Sequence, residues 1–131
     1  MSTLSAYNNV ASDKEDVYLE LKVAYINSIL DKCDILTKSI STATEKNIKH
    51  VTAELGREIH SMKGTGAMYE IAMISPICHR FEDDIFSQEG DAHHHVSELF
   101  VYRTIKFLEL IKTAAMLEKQ LLANTINLRG F

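Results

Sequence analysis

The sequence contains few residues that would interrupt a helix or cross-link a fold. Its 131 residues include one proline, five glycines and two cysteines, and there is no tryptophan. Proline and glycine are the residues that most disfavour a helix interior, so their scarcity permits long helices. Cys33 and Cys78 match no metal-ligand spacing, and we expect both to be buried, reduced thiols.

The chain also lacks the charge and the apolar runs that direct a protein to nucleic acids or membranes. Its formal net charge is −4, whereas nucleic acids and anionic membranes attract basic surfaces. No uncharged run reaches the roughly 18 residues that a membrane span needs, and the polar N-terminus does not resemble a signal peptide. We therefore expect no nucleic-acid partner, no membrane partner and a cytoplasmic location.

The sequence does contain four segments with the apolar period of an amphipathic helix. This period predicts helices over about 13–40, 44–67, 71–88 and 91–123. Pro76 lies inside the third segment, so that helix either begins late, with Ser75 as its cap, or bends. The predicted fold class is all-α: an antiparallel up-down four-helix bundle over 13–131, preceded by a flexible segment over 1–12.

The second predicted helix has a second face, more than a quarter-turn from its apolar one. On this face His60 stands among four small residues, Ala53, Gly56, Gly64 and Ala67. Helix stability alone does not favour glycine here, because each glycine costs a helix interior roughly 1 kcal/mol relative to alanine. The glycines could serve the close packing of another helix. With His60 centred between them, however, the pattern favours an accessible, reactive ring.

Three more polar residues are spaced to assist that ring. Lys63 lies three residues after His60, where its ammonium can stabilise a phosphoryl group on the imidazole. His79 and Glu82 have the same spacing on the third helix, and a carboxylate against a histidine ring fixes its tautomer. Spacing alone favours a solvated polar surface for both pairs.

Together these residues resemble the signature of the histidine phosphotransfer (HPt) domain family. The run R-E-I-H-S-M-K-G at 57–64, followed by H-R-F-E at 79–82, is most similar to the phosphotransfer domain of chemotaxis histidine kinases. The chain departs from the family at Glu70, where glycine is common, and at Pro76 in the third helix. The resemblance implies a four-helix bundle with a phosphorylatable histidine on its second helix.

The same resemblance implies a role for each site residue. His60 is the phosphorylated nucleophile, and Lys63 assists its phosphoryl group. Glu82 hydrogen-bonds the His60 ring, and His79 joins the same polar cluster. Gly64 keeps the approach open, and the stripe of small residues gives Gly56 the same expected role.

A domain of this kind is expected to relay a phosphoryl group. His60 attacks an aspartyl phosphate on a receiver domain, or ATP held by a kinase domain, and then passes the group to a response-regulator aspartate. The chain has no ATP-binding motif, so it is expected to be a transfer intermediate, and its standing as an enzyme stays open. The expected partners are response-regulator receiver domains and a sensor histidine kinase. We expect a monomer without a cofactor or metal of its own, with Mg²⁺ supplied by the partner domain.

Three other interpretations stay open. The chain could be the phosphoacceptor domain of a chemotaxis-type kinase, which His79 and Glu82 favour, although the start at Met1 favours a stand-alone protein. It could be a metal-binding helical module, but the three histidines at 93–95 would point about 100° apart on a helix. It could be a non-catalytic receiver-binding module, with a docking patch formed by Met68, Tyr69 and Ile71.

Overall fold

In the computed structural model, the described residues are 3–86 and 96–128, and they form four α-helices and one π-helical turn. The helices are α1 (Thr3–Ser41), α2 (Ile48–Met68), α3 (Ile74–Phe81) and α4 (Glu98–Leu128), and the π turn (Glu82–Phe86) continues α3. These two stretches contain no strand. The predicted all-α four-helix fold, with His60 on its second helix, is confirmed.

Neighbouring helices run antiparallel, as the polar contacts between α1 and α4 show most directly. Lys112 Nζ lies 2.7 Å from Asp34 Oδ1, and Lys119 Nζ lies 2.8 Å from Asn27 Oδ1. Residue numbers therefore rise along α4 as they fall along α1. The same antiparallel order holds for the contacts between α1 and α2, between α2 and α3, and between α3 and α4. The bundle therefore has the up-down topology.

The core lies between the apolar faces that the helical periods predicted. Side chains from every helix are buried in it, among them Ile26, Ile59, Phe81 and Ile111. Burial of such a side chain contributes about 1.5–3 kcal/mol to the free energy of unfolding. The Phe81 ring anchors the third helix to the fourth, since it packs edge-on against Phe107 with ring centroids 5.0 Å apart.

The two cysteines belong to this core and are not bonded to each other. Cys33 on α1 and Cys78 on α3 are both buried and free. Burial raises the pKa of both thiols to about 12. Because the thiolate is the reactive form, both residues act as small apolar side chains here, as expected from the sequence.

The ends of the first and last helices differ from the prediction. α1 begins at Thr3 rather than at 13, because the polar segment contains no proline or glycine to stop a helix that is already nucleated. The flexibility predicted for 1–12 stays a prediction. α4 ends at Leu128 rather than at 123, and the predicted start at 91 lies outside the described residues.

The third helix begins late and does not bend at its proline. α3 begins at Ile74, so Pro76 lies in its first turn, where a backbone N–H has no partner within the helix. The prediction of Ser75 as the cap was wrong: Met73 occupies that position, and Ser75 Oγ instead donates a hydrogen bond to the carbonyl oxygen of Lys63 at 2.7 Å. The helix predicted to reach 88 changes to the π turn at Glu82.

The connection from α2 to α3 depends on a left-handed residue. Glu70 has a φ of 57°, its amide donates to the Ala67 carbonyl at 3.1 Å, and the Ile71 amide donates to the Gly66 carbonyl at 2.9 Å. This is the Schellman pattern, which usually places glycine at the left-handed position. The chain thus keeps the turn that a glycine would form, at a conformational cost of about 1–2 kcal/mol for a residue with a side chain.

Glu70→Gly should therefore stabilise the protein. We expect a gain of about 1 kcal/mol in the free energy of unfolding, or an increase of about 2–4 °C in Tm for a chain of this size, measured by circular dichroism. The control is Glu20→Gly in the exposed middle of α1, which should lose about 1 kcal/mol. A lower Tm for both variants would contradict the assignment of strain to Glu70.

Candidate functional site

The histidine face of α2 lies outside the core. The side chain of His60 is 71 % exposed, whereas its neighbours Ile59 and Met62 are buried. The other small residues of the stripe, from Ala53 to Ala67, are exposed or half-buried. One helix thus supplies both a core face and a separate face on which a ring is accessible to a partner.

Glu82 joins the two polar residues of α2 through its two carboxylate oxygens. Its Oε2 lies 3.2 Å from His60 Nδ1, and its Oε1 lies 2.7 Å from Lys63 Nζ. An ionised carboxylate only accepts hydrogen bonds, so the neutral ring carries its proton on Nδ1 and leaves Nε2 with a free lone pair. The contact therefore leaves Nε2 as the ring nitrogen that is able to act as a nucleophile.

The electrostatics of this cluster favour the ionised carboxylate. Partial burial of Glu82 acts to raise its pKa, but the hydrogen bonds from Lys63 and His60, together with the Lys63 charge, outweigh it. The pKa of Glu82 consequently lies below its ordinary value of 4.5. Glu82 is thus a permanent acceptor for the ring at neutral pH.

Two hydrogen bonds to the α2 backbone, one from α1 and one from α3, help to position the site. Tyr25 Oη on α1 donates to the Met62 carbonyl at 2.9 Å, and Ser75 Oγ on α3 donates to the Lys63 carbonyl at 2.7 Å. α2 and α3 approach closely at Gly66, where an added Cβ would lie 3.2 Å from Ser75 Oγ. The backbone that carries Lys63 is therefore held by a helix on each side.

His79 does not join the cluster. Its ring Nε2 lies 3.4 Å from Asp83 Oδ2, one turn along the same helix, and its side chain is 65 % exposed. The resemblance implied that His79 and Glu82 share one polar group with His60. The structure instead pairs His79 with Asp83 and leaves Glu82 as the residue of this pair that contacts His60.

The two glycines that flank His60 have different surroundings. A Cβ added to Gly64 would meet nothing within 4 Å, so this side of the ring is open. A Cβ added to Gly56 would lie 3.7 Å from Cε1 of Phe86, in ordinary van der Waals contact. Gly64 thus fits the predicted role in access, whereas Gly56 fits the alternative considered for both glycines, the close packing of another element.

Sequence patterns did not identify Phe86, Tyr25 or Ser75 as residues of the site. Phe86 lies within a segment predicted as regular helix, and its contact with Gly56 follows from the packing of that segment on α2. Tyr25 and Ser75 act through backbone carbonyls, which leave no side-chain motif to detect. The only available signal was the small size of Gly56 and Gly66, which marks places where another element approaches α2.

The described residues contain neither a metal site nor a membrane span. Within 3–86 and 96–128, no group of three histidine, cysteine, aspartate or glutamate side chains is placed to hold a metal ion. The three histidines at 93–95 lie outside those ranges. No helix in the described part of the chain is long and apolar enough to cross a membrane.

Comparisons with known proteins give one match. The family model described as "Hpt domain" matches residues 24–119, from the first half of α1 to most of α4. No curated protein and no solved structure matches the chain. The matched range includes His60, Lys63, Glu82 and the helices that carry them.

The lowered pKa of Glu82 predicts how stability depends on pH at this site. A carboxyl group whose pKa falls on folding stabilises the protein above its unfolded pKa, and this stabilisation is lost as the pH falls through the folded value. The difference in unfolding free energy between the wild type and Glu82→Gln should therefore shrink as the pH falls from above the ordinary carboxyl pKa of 4.5 through the lower pKa of the folded state. Urea unfolding at each pH measures it.

The control for this series is Glu20→Gln, on an exposed part of α1 where the described residues show no ion pair for Glu20. Its difference from the wild type should stay nearly constant over the same pH range. Equal pH dependence in the two variants would show that Glu82 gains nothing specific from Lys63 and His60.

Proposed function

The chain belongs to the Hpt domain family, and from that premise we propose that it is a histidine-containing phosphotransfer protein in which His60 carries the phosphoryl group. Members of this family are phosphotransfer modules of two-component phosphorelays, and they interact with receiver domains and kinases. The proposal depends above all on one observation: an exposed imidazole whose Nδ1 is held by Glu82 and whose Nε2 is free.

The proposed reaction transfers a phosphoryl group reversibly between a histidine nitrogen and an aspartate oxygen. Nε2 of His60 attacks the phosphorus of an aspartyl phosphate; the P–N bond forms as the P–O bond to the aspartate breaks, and the carboxylate leaves. The ring gains positive charge as it bonds to phosphorus. Glu82 stabilises that charge through Nδ1–H, and the reverse reaction passes the group to a response-regulator aspartate.

Lys63 is placed to balance the charge of the transferred group. Its side chain is 30 % exposed and already contacts Glu82, so part of its conformational entropy is lost before the partner arrives. An ammonium has three donors, which allows it to keep Glu82 and to contact a phosphoryl oxygen as well. Lys63 can thus stabilise the phosphoryl group without reorganising the site.

The partners follow from this chemistry. We propose that receiver domains and a sensor histidine kinase bind over the His60 face, that they supply Mg²⁺, and that the protein acts as a cytoplasmic monomer. The docking patch predicted from the sequence needs correction, because Ile71 is buried and Tyr69 is half-buried, stacked on Tyr25. Met68, with 66 % of its surface exposed, is the residue of that patch still available to a partner.

The contacts of the site favour a role as the phosphoacceptor domain of a chemotaxis-type kinase less than the sequence pattern does. The similarity rested on His79 and Glu82 together, and only Glu82 contacts His60. A non-catalytic docking role has no specific observation in its favour, since the nucleophile, the cation and the carboxylate are all in place.

Replacing the nucleophile should abolish phosphorylation. His60→Gln incubated with a receiver domain that carries a radiolabelled aspartyl phosphate should gain no label above background, because glutamine has no nucleophilic nitrogen. His50→Gln is the matched control, since His50 is also exposed on α2 but pairs with Glu54. Equal labelling of His60→Gln and the wild type would overturn the proposed function.

The tautomer imposed by Glu82 should fix the site of phosphorylation on the ring. We expect phosphoramidate, a small phosphoryl donor, to modify Nε2 of His60 rather than Nδ1, as read from nitrogen–phosphorus couplings in NMR spectra. Glu82→Ala should reduce this selectivity, since the ring is then free to exchange tautomers. A wild-type product phosphorylated on Nδ1 would contradict the assigned geometry.

A further inference from the structure

Phe86 contacts the histidine face of α2, yet the chemistry described so far does not use it. Its ring lies against Gly56, with Cε1 3.7 Å and Cζ 3.9 Å from the position that a Cβ would take there. Gly56 lies one helical turn before His60, and Gly64 lies one turn after it. The first position is thus covered by an aromatic ring, and the second is open.

The ring is held in place from the core. Phe86 stacks on Phe81 with centroids 5.5 Å apart and planes inclined by 27°, and Phe81 in turn packs edge-on against Phe107. Aromatic contacts of this kind contribute about 0.5–1.5 kcal/mol each beyond the area they bury. The Phe86 ring beside Gly56 is therefore packed into the bundle rather than free on its surface.

Phe86 and Glu82 both contact α2, and they lie four residues apart in the π turn. Hydrogen bonds in a π-helix run from residue i to i+5, which places more residues in each turn than an α-helix has. Residues four positions apart share a face in an α-helix, and the wider π turn keeps Glu82 and Phe86 on one side. Glu82 meets His60 and Lys63, while Phe86 meets Gly56 at the level of the preceding turn.

We infer that Phe86 makes the approach to His60 one-sided: its ring closes the Gly56 side, so the receiver domain reaches Nε2 over Gly64 and Ala67. Phe86 is in this sense a positioning residue, because the same π turn holds Glu82 against the ring. The inference rests on the proposed phosphotransfer and deepens it by assigning the side of the site that the partner covers.

The histidine stripe offers a symmetric pair of alanines for the test. Ala53 and Ala67 are exposed, and each lies seven residues from His60, in opposite directions along α2. Ala67→Tyr should raise KM for a phosphorylated receiver about tenfold, because the new ring obstructs the open side. Ala53→Tyr should change KM by less than about twofold, since Phe86 already separates that position from the route of approach.

Phosphoramidate separates obstruction from damage to the site. This donor is small enough to reach Nε2 past either tyrosine, so both variants should be phosphorylated by it at the wild-type rate. Equal effects of the two substitutions on KM for the receiver, or a larger effect of Ala53→Tyr, would overturn the one-sided approach. If His60 is nonetheless required for labelling, only this inference fails and the proposed function stands.

The positioning role of Phe86 has its own measurement. Phe86→Ala should lower kcat for transfer from the receiver about tenfold with little change in KM, because a loosened π turn lets Glu82 leave Nδ1. It should also reduce the selectivity for Nε2 seen by NMR. Phe86→Leu, which refills most of the space left by the ring, should restore both kcat and the selectivity for Nε2. Wild-type kcat and selectivity in a folded Phe86→Ala protein would refute this role.

Discussion

The site depends on how closely α3 approaches α2. At Gly66 the two helices are so near that a Cβ would lie 3.4 Å from the side chain of Ile74, and a hydrogen bond from Ser75 holds the Lys63 carbonyl at the same level. This contact sets the distance at which the rest of α3 runs along α2. Glu82 is consequently within 3.2 Å of His60, although 22 residues separate them in the sequence.

The contacts of the cluster organise the site more than they stabilise the fold. His60 and Lys63 are both partly exposed, and ion pairs open to solvent contribute little to stability because water and salt screen them. The free energy of unfolding comes mainly from the apolar faces behind them. The cluster instead assigns a proton to Nδ1 and orients a carboxylate and an ammonium before a partner binds. Such preorganisation lowers the activation barrier of a transfer reaction.

The parts of this architecture that follow a helical period were predictable from the sequence. The apolar stripe of α2 and the separate face of His60 need only the angle between successive residues, and they were assigned correctly. The π turn at Glu82, the pairing of His79 with Asp83 and the packing of Phe86 on Gly56 were not predicted, because an apolar period specifies only which face of a helix is buried. Glu70 was noted as a departure, but its left-handed conformation arises from the turn that the surrounding helices impose.

Gly64 shows a compromise between the stability of the fold and access to His60. It lies in the middle of a helix with open space beside it, so an alanine there would fit and would gain roughly 1 kcal/mol from helix propensity alone. The protein forgoes that gain one helical turn from His60, beside the ring that we propose to carry the phosphoryl group. Selection for heat resistance alone would accept the substitution readily, although the added methyl group would narrow the approach to His60. Such a conflict is typical of residues that serve activity rather than folding.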